Sequence, residues 1–149
     1  MSKEEIWSFL EAEHNKYPQD FGFPISNINE IRQVEHDLAV SFSRIYIMFI
    51  EKYNHAFLPS YTIYGIRPIV GENRSTVFDK TLFYKETQKW PGIEDWYVIS
   101  DDGCGNPIGI DPEGRVWLSD HDSGFEKVKL ADDFEEFLYR VYTETLYED

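Results

Sequence analysis

Apolar positions fall at helical spacing towards both ends of the chain and alternate in the stretch between. Ile6, Phe9 and Leu10 mark a first short helix, with Glu4 and Glu5 where a helix N-terminus favours negative charge and Tyr17-Pro18 ending it. Residues 21–25, carrying Gly22 and Pro24, form a connector. Ser26 or Asn27 then caps a second helix bearing Ile28, Ile31, Val34 and Leu38, and Glu30 stands at capping-box spacing from Asn27. The third helix runs from Ser43 to Tyr53, with Ile45, Tyr46, Phe49 and Ile50 on its buried stripe. Tyr61 to Tyr64 reads as a strand ending at Gly65; across Pro68 the chain continues only as an edge or irregular piece. Ser75 caps a helix through Thr87, although the consecutive Leu82, Phe83 and Tyr84 blur its register. Trp96 to Ile99 and Phe125 to Val128 are strands, and Asp132 caps a last helix with Glu135 at its third position. Phe134, Phe137, Leu138, Val141 and Tyr142 give that helix one apolar face. Helices, then strands, then a helix predict an α+β domain, a mostly antiparallel sheet packed against N-terminal helices and a C-terminal helix. Parallel strands would need helical crossovers for which the segments after Trp96 leave no room.

The densest local signal is Ser100 to Asp122, SDDGCGNPIGIDPEGRVWLSDHD. Asp111-Pro112-Glu113-Gly114 matches a turn in which Asp bonds its own following backbone, Pro presets φ and Gly accepts a positive φ. Its flanks, Pro107 to Ile110 and Arg115 to Leu118, pair as a hairpin. With a bulge setting Ile110 opposite Val116, Ile108, Ile110, Val116 and Leu118 share the core face. Trp117 lies opposite Gly109 on the second face, which is expected to be open to contact.

Composition narrows this picture without changing it. With 149 residues the chain is read as one domain over 1–149, and 17% aromatic content supplies core volume that a disordered chain lacks. No apolar run reaches membrane-spanning length, the opening MSKEEIWSFLEAEH has no signal-peptide character, and one cysteine permits no internal disulfide. Cytoplasm is the expected location. The net charge of −14 is unevenly spread: residues 94–149 carry 16 acidic side chains against 4 basic ones. Such a field opposes binding to nucleic acid and to anionic membrane, and speeds encounter with a basic protein, though acidic surfaces also serve solubility alone.

Ile31 and Glu35, the segment from Phe42 ending Glu51-Lys52-Tyr53-Asn54, Tyr64-Gly65, the Asp-Gly-x-Gly-Asn run at 102–106, the Asp111 to Gly114 turn, Val116-Trp117, Asp120-His121 and the closing Phe134 to Leu138 helix resemble, in order and spacing, the SUKH superfamily. They are similar to the branch typified by a fungal cell-wall-synthesis regulator, whose bacterial members are mostly immunity proteins of polymorphic toxin systems. The resemblance covers Ile28 to Leu138. Phe42-Ser43 stands where Leu-Pro is common, and Asn54-His55 where Asn-Gly often occurs; Ser43 retains the capacity to cap. The resemblance implies a non-enzymatic binder of a cognate toxin without a cofactor, and alternatively a scaffold or regulator connected with cell-wall assembly. It carries over no contact residue, because family members present variable surfaces to different toxins.

Candidate chemistry is sparse. Cys104 with His121 has the elements of a nucleophile and base but no surrounding catalytic motif; a cysteine in a tight turn is more often structural. Asp120-His121-Asp122 with Asp101 or Asp102 offers metal-ligand types, yet adjacent residues on a strand point apart. Gly103 and Gly105 lack the lysine of a phosphate loop. Trp90, Trp96 and Trp117 read first as packing, and Asp132, Asp133, Glu135 and Glu136 as a solvated helix start. The partner-binding residues expected from charge and turn position are Asp101, Asp102, Asp120 and Asp122, with Trp117 as an anchor, facing a basic, nuclease-type toxin. Homodimerisation through the aromatic sheet face is left open.

Overall fold

The computed structural model describes residues 1–148. A 3-10 turn leads into α1 (Ile6–Lys16), and Pro18 opens a second such turn just beyond it. The next helix, α2 (Ile28–Leu38), is capped by Asn27, whose side chain accepts from the Asn29 N–H at 3.0 Å. Glu30 does not complete a capping box. Its carboxylate turns to Arg67 and takes two guanidinium hydrogen bonds of 2.8 Å, a stronger bidentate pairing than a single backbone amide provides. Ser43 starts α3 (Arg44–Tyr53) by accepting from the Tyr46 N–H, so the cap expected of it is present.

The next two strands, β1 (Ala56–Leu58) and β2 (Tyr61–Ile63), make a small antiparallel sheet. With three residues between His55 and Pro59, β1 is too short to show an alternation in sequence. Thr76, one residue beyond the expected Ser75, caps α4 (Val77–Leu82) in a reciprocal box with Asp79. The Ser75 hydroxyl is taken by the Ile69 N–H at 2.7 Å. The consecutive apolar residues that blurred this helix lie where it widens into a π turn (Phe83–Thr87), closed by Gln88 N–H on the Phe83 carbonyl.

The main sheet holds β3 (Tyr97–Asp101), β4 (Pro107–Ile110), β5 (Val116–Asp120) and β6 (Glu126–Ala131), antiparallel in that order. The hairpin has the predicted register, with Ile108 opposite Leu118, Gly109 opposite Trp117 and Ile110 opposite Val116; Gly114 sits at φ +86°. The small sheet joins the large one where the Tyr64 N–H meets the Ile99 carbonyl and the Ser100 hydroxyl meets the Thr62 carbonyl. The last helix, α5 (Phe134–Thr143), is capped by Asp133, which accepts from the Glu136 N–H; Asp132, the expected cap, instead pairs with Lys129 at 2.6 Å.

Tyr97, Ile99, Ile108, Ile110, Val116 and Leu118 form one sheet face, buried in the main core with Tyr46, Phe49, Phe134 and Phe137. Each such aromatic contributes about 2 kcal/mol by leaving water. The opposite face is covered too, contrary to expectation. Tyr84, Ile93, Trp96 and Val98 form a second core there, with Trp90 and Trp117 packed against it. At Gly109 an added Cβ would stand 2.7 Å from the Trp96 ring, so glycine is what lets the indole approach the strand. Among the described residues no helix is long and apolar enough to cross a membrane.

Candidate partner-binding site

Antiparallel order places the C-terminal ends of β3 and β5 at one end of the sheet, with the start of β4 between them. Asp101 and Asp102 leave β3 there, Asp120 closes β5, and Asp122 follows on a 3-10 turn (His121–Ser123). Four aspartates separated by up to 21 positions thus share one end of the fold. Asn106 joins the two loops. Its backbone and side-chain N–H groups donate to Asp102 at 3.1 and 2.8 Å. Its amide oxygen accepts from the His121 N–H at 3.0 Å and from the His121 ring Nδ1. Since a backbone N–H identifies that atom as the oxygen, the ring Nδ1 is the donor in the second contact.

Each aspartate but one spends its oxygens on local donors. Asp101 accepts from the Gly103 N–H and, at 2.7 Å, from the Tyr64 hydroxyl. Asp102 also takes the Cys104 N–H, and Asp120 takes the Asp122 N–H and the Ser123 hydroxyl. Asp122 is open to solvent, with His121 Nε2 3.2 Å away. Among the described residues none of the four is ion-paired with Lys or Arg. The charge of Asp101, Asp102 and Asp120 is therefore held in place but not cancelled. Nearby tyrosines register it: burial first, then Asp101 and Asp102, push the Tyr84 hydroxyl up to about 12. Burial, then the hydrogen bond and charge of Asp101, raise Tyr64 as well.

Trp117 stands apart from this group. Its indole N–H donates to Asp111 Oδ2 at 2.9 Å, in the turn at the other end of the hairpin, and Arg115 lies over its ring at 5.9 Å. Asp111 also accepts from the Glu113 and Arg115 N–H groups and from Arg115 Nε. Burial alone would raise the Asp111 carboxyl, but the donors from Trp117 and Arg115 outweigh it and hold it below the ordinary aspartate range. The aspartates and the tryptophan expected to act together occupy opposite ends of the sheet.

What sequence reasoning missed lies beside the aspartates. Tyr61 at the start of β2 and Tyr147 beyond α5 bring their hydroxyls within 3.4 Å, 86 residues apart in sequence. With Pro59, Val141 and Leu146 they line a groove of about 320 Å³. Tyr147 is 60% exposed. Its hydroxyl is raised by burial, by the bond to Tyr61, and then by Asp102 and Cys104, which places the groove within electrostatic reach of the aspartate loop. No local pattern marks such a pair; only the β1–β2 turn meeting the segment after α5 creates it.

The remaining candidates find simpler places. Cys104 is exposed in the loop, and no hydrogen bond joins its thiol to His121 among the described residues. Ligand atoms of Asp120, His121 and Asp122 lie within 4.8 Å of one another, because the strand ends at Asp120 and the 3-10 turn folds the next two residues back. The expectation that they diverge is corrected; Asp101 and Asp102 do not join them. The Asn106 bond to Nδ1 and the donors on Asp120 already use part of that set.

Residues that carried the family resemblance knit the fold. Buried Glu35 accepts the Phe42 N–H at 2.6 Å, fastening α2 to the approach to α3. Asn54 accepts from the Ile66 and Arg67 N–H groups and donates to the Arg67 carbonyl. Asn106 fastens the two aspartate loops in the same manner. No curated protein matches the chain. The model of the SMI1 / KNR4 family (SUKH-1) matches residues 26–140, more than three quarters of the length and the region that contains all three of these fastenings, and the chain belongs to that family.

Proposed function

We propose that this protein is a non-enzymatic immunity protein that neutralises a cognate, basic, nuclease-type toxin by occupying its active site. Family membership supports an immunity or cell-wall-related role in general terms. The observation that favours the first is the aspartate end of the sheet: four carboxylates, three of them held by hydrogen bonds, with no Lys or Arg ion pair among the described residues, on a chain of net charge −14. Nuclease sites are basic because they hold phosphates. A carboxylate array offers them the same charge without a scissile bond, and gives fast, salt-sensitive association. Asp101, Asp102, Asp120 and Asp122 are the steering and contact charges. Trp117, placed at the far end, belongs to a second contact region if the partner reaches that far.

The test is capture of partners from lysate of the source cells by the tagged protein, at low and high salt. One basic toxin-like domain recovered at near-equal stoichiometry, and lost at high salt, is the expected result. Capture of several unrelated cell-envelope factors, with no protection against any toxin on expression, would overturn it in favour of the cell-wall-related role.

A further inference from the structure

We propose that the groove between Tyr61 and Tyr147 is an arginine-binding site, receiving one arginine side chain of the basic partner next to the aspartate loop. This rests on the proposed reading and adds the chemistry of its anchor. The groove is lined by apolar Pro59, Val141 and Leu146, the last two buried, and by two tyrosine rings. Tyr147 presents most of its surface to solvent, whereas Tyr61 is fixed by edge contact with Phe137 at 6.3 Å between centroids. Exposed aromatic area of this kind, lying beside buried apolar side chains, is the usual form of an interface anchor.

Charge decides the occupant. Glu144 and Glu148 are among the lining residues, and β2, which carries Tyr61, is fastened to the strand that leads into the aspartate loop by the Ser100 hydroxyl on the Thr62 carbonyl. Arg140, the basic side chain among the lining residues, is already engaged: it donates to the Thr145 and Glu148 carbonyls and lies 3.5 Å from Glu136. A neutral apolar side chain would use the rings and waste the carboxylates. An acidic one would be repelled. A lysine ammonium is a point charge and keeps its water, while a guanidinium stacks on tyrosine faces and turns its edge to carboxylate oxygens in the same pose. At about 320 Å³ the groove is at the small end of the roughly 300–1,000 Å³ range for ligand sites, suited to one long side chain and not to a folded cofactor.

The experiment is an NMR titration of the full chain, labelled with nitrogen-15, at low salt, using acetyl-Gly-Arg-Gly-amide and its lysine and citrulline counterparts as probes. The arginine peptide should shift the amides of Ser60, Tyr61 and Tyr147, the lysine peptide should do so more weakly, and the uncharged citrulline peptide should not. Tyr147→Ala, at an exposed position, should weaken arginine binding roughly tenfold, and Tyr61→Phe should retain it, since the ring and not the hydroxyl does the stacking. Shifts spread evenly over the acidic surface, equal binding of citrulline, or no shift at all would overturn the inference. Its fate separates from that of the immunity reading. A captured toxin that binds Tyr147→Ala as tightly as the parent protein removes the arginine site alone; arginine peptide seated in the groove with no toxin captured removes the immunity reading alone.

Discussion

The two ends of the four-stranded sheet are built from the same material and arrive at opposite electrostatic states. At the β4–β5 turn, Asp111 gathers backbone amides and then Arg115 and the Trp117 indole, so its charge is answered within the fold. At the other end Asp101, Asp102 and Asp120 also gather backbone amides, yet the side chains that reach them are Tyr64, Asn106 and Ser123, all neutral. A loop-capping aspartate is thus no guide to function until its cationic neighbours are known. The first end is a fastening. The second is a fastening that also projects negative charge.

The comparison breaks most readily at the neutralised end. Asp111→Ala strands the Trp117 and Arg115 donors and should cost about 3 kcal/mol of stability by urea unfolding. Because the Asp111 carboxyl titrates below its ordinary 3.8 in the folded protein, its contribution is complete above that pH and is lost as pH falls through the folded value. Asp111→Asn should accordingly flatten the acid limb of the stability profile. An unchanged acid limb would show that Arg115 and Trp117 are not its partners in solution.

Asp102→Ala opens the Cys104 and Asn106 contacts and is expected to cost about 1–2 kcal/mol, less than Asp111→Ala because that loop is wetter. Trp117→Phe keeps an aromatic ring but removes the indole donor and part of the packing against the second core, for about 1–2 kcal/mol. If it instead abolished partner binding without touching stability, Trp117 would be an anchor after all.

Smaller effects sharpen the contrast. Burial and the charges of Asp101 and Asp102 raise Tyr84 from 10.0 to about 12, so its contribution is whole below 10 and lost as pH rises towards 12. Paired Asp101→Asn and Asp102→Asn substitutions should lower that titration, read by phenolate absorbance. Asp122→Lys should leave the melting temperature where it is and slow association with the basic partner at low salt. Unchanged on-rates there would detach the aspartate end from binding.

Local interactions determine what the sequence by itself declares. The hairpin register from Ile108 to Leu118 was legible because strand alternation and the Asp-Pro-Glu-Gly turn act over a few residues. The cap at Ser43, the choice of Ser26 or Asn27 as the cap that Asn27 fills, and the apolar face of α5 were legible for the same reason. Errors of one residue at Ser75 and Asp132, and the missing Glu30 capping box, arose where a distant or competing group claimed the side chain: the Ile69 amide, Lys129 and Arg67. Four aspartates were identifiable in sequence as one charge-rich turn region, but only strand order brings the ends of β3 and β5 together. That α4 and its π turn close the second sheet face, and that Tyr61 meets Tyr147 across 86 positions, are decided by packing between segments far apart in the chain. Contacts of that range depend on how whole elements stack, and no local propensity encodes them.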